Sequence, residues 1–218
     1  MTPGNPRSDK REASSVEVVA WALAGLGGVE DEIHLEDIAA KAFALKPGAF
    51  RWDLDNYAHF IDKDKVRVSL TDAAKAKYGE LTRAVGRKIR GVIKPTDWWV
   101  LTPAGILWVQ QNSARLSSVF GDKPPSLRRE VARRLRERLS ESELYEGYSR
   151  SGRIDPSPFA LADLVECSPD ASSAVFRARF EALDAQTRLL GDDDLGCFVN
   201  AVANAFQHIL GSGGDSSG

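Results

Sequence analysis

Cysteine is nearly missing from this 218-residue chain: Cys167 and Cys197 are the only two. They sit in helix-like apolar patterns, with no Cys-x-x-Cys or His-x-x-x-His spacing nearby. That excludes a disulfide framework and a structural zinc site, and both read as reduced, buried thiols. Long apolar runs are missing too, since a membrane span needs about 18 consecutive apolar residues and none occurs. The opening MTPGNPRSDKREASS lacks the apolar stretch of an export signal, so a cytoplasmic location with no membrane partner is expected. Histidine is scarce, and His34, His59 and His208 have no sequence-local partner to make any of them a base. No P-loop, dinucleotide glycine pattern, G-x-S-x-G, H-E-x-x-H or kinase set is present, so neither catalysis nor a cofactor is expected.

What is present is an ordinary globular composition, 43% hydrophobic and 28% charged, with a formal net charge of -2. That small net charge hides a separation. Arg83 to Arg150 carries fourteen Lys/Arg against seven Asp/Glu, whereas Asp155 to Gly218 carries three against ten. A basic middle and an acidic end imply either different partners or two parts that neutralise each other.

Residues 1–13 and 211–218 are polar and rich in Gly, Pro and Ser, and are expected to be disordered tails. Ser14 and Glu17 form a capping box, and Val16, Val19, Ala20, Leu23 and Leu26 then predict one buried helical face, stopped by Gly27-Gly28. HLEDIAAKAFAL predicts a second helix, with Leu35, Ile38, Ala39, Ala42 and Leu45 inward, broken at Pro47-Gly48. RWDLDNYAHFIDKDK is expected to be irregular or a single turn. DKVRVSLTDAAKAKYG predicts a third helix burying Val66, Leu70, Ala73, Ala74 and Tyr78, with Gly79 as its stop. A strand over Glu80 to Val85, a Gly-bounded basic loop GRKIRG, and a second strand over Gly91 to Leu101 follow. Consecutive strand residues face opposite ways, so of Trp98 and Trp99 one packs under the sheet, and Trp99 is assigned that place. Thr102 and Pro103 then open another helix.

Helix, helix, helix, strand, basic loop, strand over roughly Ser14 to Asn112 resembles the winged helix-turn-helix superfamily. It is similar in particular to the small winged-helix domains of bacterial regulators and of restriction or phage-defence proteins. The residues that carry the likeness are Leu35-Glu36-Asp37-Ile38-Ala39 and Trp99-Val100-Leu101-Thr102-Pro103-Ala104-Gly105. The expected fold is therefore mainly α (α+β): a winged-helix domain over 14–112 with a two-stranded wing, a basic helix and connector over 113–153, and an acidic helical region over 154–210.

Double-stranded DNA is the partner that the resemblance implies. In the wing, Arg87, Lys88 and Arg90, flanked by Arg83 and Lys94, can neutralise phosphates and release counterions. On the third helix, Lys65, Arg67, Ser69, Thr71 and Lys75 offer the short polar and basic groups that read base edges in a major groove, while Asp72 would repel phosphate. SLRREVARRLRERL, residues 126–139, places Arg129, Arg133 and Arg136 opposite an apolar arc, either as a second phosphate-binding face or as a helix self-paired through Glu130 and Glu137. Downstream, FALADLVEC, a helix capped by Ser168 with Pro169 at its first position and Val175, Phe176, Phe180 and Leu183 inward, and DDDLGCFVNAVANAFQHIL predict three amphipathic helices. These suit a small bundle, a homodimer contact or a docking face for a partner protein. Two rivals remain: an interaction adaptor that never touches DNA, and a metal-dependent nuclease built on Asp53, Asp55, Asp62 and Asp64.

Overall fold

The computed structural model describes residues 12–89 and 92–211. It is mainly helical, with one small antiparallel sheet of three strands. The chain runs α1 (Ser15–Gly25), β1 (Ile33–His34), α2 (Leu35–Leu45), α3 (Pro47–Phe50), α4 (Lys63–Ala73), β2 (Thr82–Ile89), β3 (Val92–Leu101), α5 (Pro103–Phe120), α6 (Arg129–Ser140), α7 (Glu143–Ser151), α8 (Pro158–Leu164), α9 (Ser173–Leu190), α10 (Asp193–Ala205) and α11 (Gln207–Leu210). It divides into two compact units, Met1–Leu101 with Trp108–Pro125, and Thr102–Leu107 with Ser126–Gly218. The division falls inside α5, and the expected segments 113–153 and 154–210 do not separate: α6 to α11 share the second unit.

In the first unit, Ser14 caps α1 by the reciprocal box, its hydroxyl accepting from the Glu17 N–H at 3.4 Å and its own N–H donating to the Glu17 carboxylate at 2.7 Å. The expected single buried face is too narrow. Val18 to Ala24 are all buried, because α2, α4 and β3 each pack on α1. Fully burying a Val, Leu or aromatic side chain contributes about 1.5–3 kcal/mol, so this helix anchors the unit. Gly28 closes the exit. Its N–H donates to the Leu23 carbonyl at 2.9 Å, and a Cβ there would meet the Leu23 side chain at 2.5 Å.

The sheet order is β1-β3-β2, with Ile33 opposite Trp99 and His34 opposite Trp98. Two-residue β1 makes the sheet three-stranded where a two-stranded wing alone was expected. Trp99 is buried at 6% exposure, and half-buried Trp98 packs edge-on against His34, 5.0 Å between centroids. His34 also caps α2, its Nδ1 accepting from the Glu36 N–H at 3.3 Å. α5 is tied to the same unit by Arg115 to Glu17, and the segment just after it by Lys41 to Asp122, both 2.6 Å.

The third helix is shorter than expected. α4 stops at Ala73, and a 3-10 turn over Ala76–Tyr78 ends at left-handed Gly79, which leaves Tyr78 40% exposed instead of buried. The basic "loop" is mostly strand: Gly86 to Ile89 continue β2, and β3 starts at Val92. Strand pairing overrode the glycine, because the two chains stay in register through Arg87–Lys94, Lys88–Ile93 and Ile89–Val92.

In the second unit, Phe198 of α10 is buried against Tyr145 at 5.1 Å and Tyr148 at 5.6 Å, both from α7, a helix the sequence patterns did not predict. α9 begins at Ser173, not after Ser168. Ser168 instead closes its own turn by accepting from Ala171 N–H, and Val175 is left exposed. Asp192 caps α10 through Leu195 N–H at 3.2 Å. The expected tails fall outside the described residues except at their inner ends, which are held. Ala13 is buried with its carbonyl accepting from Lys46 at 2.7 Å, and the Gly211 carbonyl accepts from Arg177 at 2.7 Å. Among the described residues no helix is long and apolar enough to cross a membrane.

Burial at Glu17 by itself raises its carboxyl pKa. The hydrogen bonds from the Ser14 backbone, the Arg115 guanidinium and the Ser14 hydroxyl outweigh it and hold the group below its ordinary value. A lowered folded pKa gives stability that is present above the unfolded value and lost as pH falls through the folded one. Thermal midpoints measured from about pH 6 to pH 3 should therefore fall more steeply for the wild type than for Glu17→Gln, and parallel curves would refute this role.

Candidate nucleic-acid interface

α4 forms because Asp62 accepts from the N–H groups of Asp64 at 3.0 Å and Lys65 at 3.2 Å, and because Val66, Leu70 and Ala73 fall on one buried face. The outer face carries the expected contact residues, and most are already engaged. Lys65 donates to Asp53 at 2.5 Å and to the Arg51 carbonyl at 2.9 Å. Arg67 pairs with Asp64 and reaches Asp97 at 3.3 Å. Lys75 lies 2.6 Å from Asp72, and that contact lowers the aspartate pKa and raises that of the lysine. Lys63 pairs with Glu36 at 2.6 Å.

Ser69 is a correction. It is 8% exposed and donates back to the Lys65 carbonyl at 2.8 Å, so it does not face outward as a base-reading group. It lies three residues after Val66 and four before Ala73, both buried, which puts it on the core side of the helix. Thr71 stays exposed, its hydroxyl donating to the Arg67 carbonyl at 2.8 Å.

The β2–β3 ribbon differs. Arg83 is exposed and forms no ion pair with a described residue. Arg87 and Lys94 occupy directly opposed register positions, and Lys88 opposes Ile93. Arg90 lies outside the described residues. From Arg83 to Lys94 there are five Lys/Arg and no Asp/Glu.

On α6, Arg129 is exposed, but Arg133 bridges Glu130 at 2.8 Å and Glu137 at 2.6 Å. Hydrogen bonds to Glu130 first, then to Glu137, raise the Arg133 pKa above its ordinary value. Arg134 reaches Glu130 at 3.0 Å, while Arg136 reaches Asp192 at 3.7 Å and Arg138 reaches Glu166 at 2.7 Å. Much of the arginine excess in this helix is therefore met by carboxylates of the acidic region in the same unit.

The carboxylates named for the rival nuclease reading are engaged locally: Asp53 holds Lys65, Asp62 caps α4 and Asp64 holds Arg67. Among the described residues no group of three or more His, Cys, Asp and Glu is placed to hold a metal ion.

Sequence patterns missed an aromatic platform between α3 and α4. Trp52, Leu54, Tyr57 and Phe60 are 47%, 63%, 47% and 50% exposed. Tyr57 lies 6.1 Å from Trp52 and 6.2 Å from Phe60 between ring centroids. The backbone is pinned by Trp52 N–H to the Phe60 carbonyl, 3.2 Å, and Asp62 N–H to the Phe50 carbonyl, 2.7 Å. The signal available was the lack of period in RWDLDNYAHF, since large apolar residues without helix or strand spacing have no core face to share.

No known protein family, curated protein or solved structure matches the chain.

Because Arg133 is exposed and its pairs are local, they stabilise little. Arg133→Gln should leave the urea unfolding midpoint unchanged within scatter. A clear drop would show that the Glu130–Arg133–Glu137 bridge supports the second unit.

Proposed function

We propose that the chain is a winged-helix DNA-binding protein that grips duplex DNA mainly through the β2–β3 ribbon. It would act either as a transcriptional regulator or as a DNA-binding accessory subunit of a bacterial restriction or phage-defence system, in the cytoplasm. The order α1, β1, α2, α4, β2, β3, with β1 adding to the ribbon through β3, supports the winged-helix reading. The observation that carries the partner is the ribbon's inner segment, Arg83 to Lys94, with five cations and no carboxylate in its sequence. α4 is the minor contact, because its lysines and arginine are spent on local carboxylates. The second-unit helices are left for a homodimer contact or a partner protein.

The adaptor reading keeps one specific support, the exposed aromatic platform at Trp52, Leu54, Tyr57 and Phe60, whose area suits apolar protein contact better than phosphate contact.

Fluorescence polarisation with a random duplex at low salt separates the two. Arg83→Gln, Arg87→Gln, Lys88→Gln and Lys94→Gln together should weaken binding by more than about tenfold, because each neutralised phosphate contributes separately. Arg67→Gln with Lys75→Gln should change affinity by less than about threefold, since those groups give up a carboxylate to meet a phosphate. Equal affinity of wild type and ribbon variant would overturn the ribbon's role, and no wild-type binding at all would favour the adaptor.

A further inference from the structure

Between α4 and the sheet lies a cavity of about 570 Å³, lined by Arg67 and Thr71 of α4, Ala84 of β2, and Thr96, Asp97 and Trp99 of β3. Sites that enclose small ligands run from about 300 to 1,000 Å³.

A break in strand register accompanies the cavity. Between the Ala84–Trp99 and Gly86–Pro95 pairs, Val85 of β2 faces three residues of β3, Thr96 to Trp98. Thr96 holds this bulge, its hydroxyl donating to the Val85 carbonyl at 2.7 Å and accepting from Trp98 N–H at 3.3 Å. Bulges re-aim side chains and are over-represented beside functional sites. Here the extra residues bring Asp97 within 3.3 Å of Arg67, a long contact, while the same guanidinium holds Asp64 more closely.

Trp99 supplies the second sign of a binding site. It is nine-tenths buried, it lines the cavity, and its indole N–H has no acceptor among the described residues. A buried donor left unmade is costly, and native structures keep few of them.

The lining sets the ligand's chemistry. Arg67 is shared between Asp64 and Asp97 and holds Asp64 more closely, so Asp97 selects hydrogen-bond donors and a bare anion is disfavoured. Ala84 and Ala74, the residue just after α4, leave flat space, and the Trp99 ring offers an apolar surface. Asp97 accepts hydrogen bonds, and Arg67 donates them. A planar, uncharged heterocycle with ring N–H, amino and carbonyl groups on its edge matches that set. Carboxylates accept from base amino groups, and bases stack on aromatic rings.

We propose that this cavity binds a single nucleobase, with Asp97 accepting from its N–H and amino donors and Trp99 packing along it. Guanine, whose ring N–H and amino group lie side by side, is the base best matched to a carboxylate. The incoming donors replace the long Arg67 contact at Asp97, and Arg67 remains on Asp64. The base comes either from a free nucleoside or from an unpaired position in a nucleic-acid strand. This inference does not depend on duplex binding by the ribbon.

Calorimetric titration of the full chain with guanosine, 1-methylguanosine, cytidine, and a five-nucleotide single strand containing one guanine tests it. Guanosine or the single strand should bind saturably below about 1 mM, and blocking the ring N–H with a methyl group should weaken guanosine about tenfold or more. Asp97→Asn should lose binding to a similar extent. Ala84→Leu, which fills the cavity, should abolish it while circular dichroism and the thermal midpoint stay near wild type. Binding of guanosine alone identifies a free ligand, and binding of the strand alone identifies an unpaired base in nucleic acid. The proposal fails if neither binds, or if binding survives both Asp97→Asn and Ala84→Leu. Loss of duplex affinity in the ribbon variant with nucleoside binding intact would show the two sites to be separate.

Discussion

A helix with seven consecutive buried residues has no side to give to water, and α1 is such a helix. Its burial forces a partner onto every face: α2 and α4 on some, β3 on another. The small sheet follows from that requirement. β3 needs a neighbour on each edge to satisfy its backbone, and β1 and β2 supply them. Gly28 lets the chain turn tightly against Leu23, and its carbonyl then accepts from Leu101 N–H at 2.8 Å, which joins the helix exit to the sheet. Trp99 comes to lie beneath the sheet while Trp98 packs against His34, because the strand alternates its faces over that base.

The same packing sorts the charge. Helices lay their basic residues beside carboxylates three or four positions away, and α4 and α6 neutralise themselves in that manner or through acidic neighbours in their own units. The ribbon has no acidic residue between Arg83 and Lys94. Positive charge over the chain is thus abundant on helices but engaged, and concentrated on the ribbon without sequence-local compensation. The net charge of -2 conveys none of this.

Local chemistry was legible in the sequence and distant pairing was not. The Ser14–Glu17 capping box, the aspartate cap of α10 and the inward assignment of Trp99 depend on neighbours within a few residues, and each was readable. β1 is two residues long, too short to show a period, and it exists only because β3 lies beside it. Gly86 looked like a loop boundary, yet pairing across the ribbon carried β2 past it to Ile89. Ser168 with Pro169 had the form of a helix start, but its backbone carbonyl closed a turn of its own with Ala171 N–H and α9 began at Ser173. Contacts such as Lys65 to Asp53, Arg67 to Asp97 and Arg138 to Glu166 join residues 12 to 30 positions apart, and no spacing rule announces them. The bulge at Thr96 to Trp98, and the cavity beside it, likewise needed the register.

On the proposed reading, the ribbon and not the helices presents cations to a polyanion. The dependence of duplex affinity on salt tests it most directly. Five ribbon cations, each displacing close to 0.9 of a counterion per phosphate, predict a slope of log affinity against log salt of about -4 to -5. A slope near zero over the same range, or no duplex binding at low salt, would contradict it.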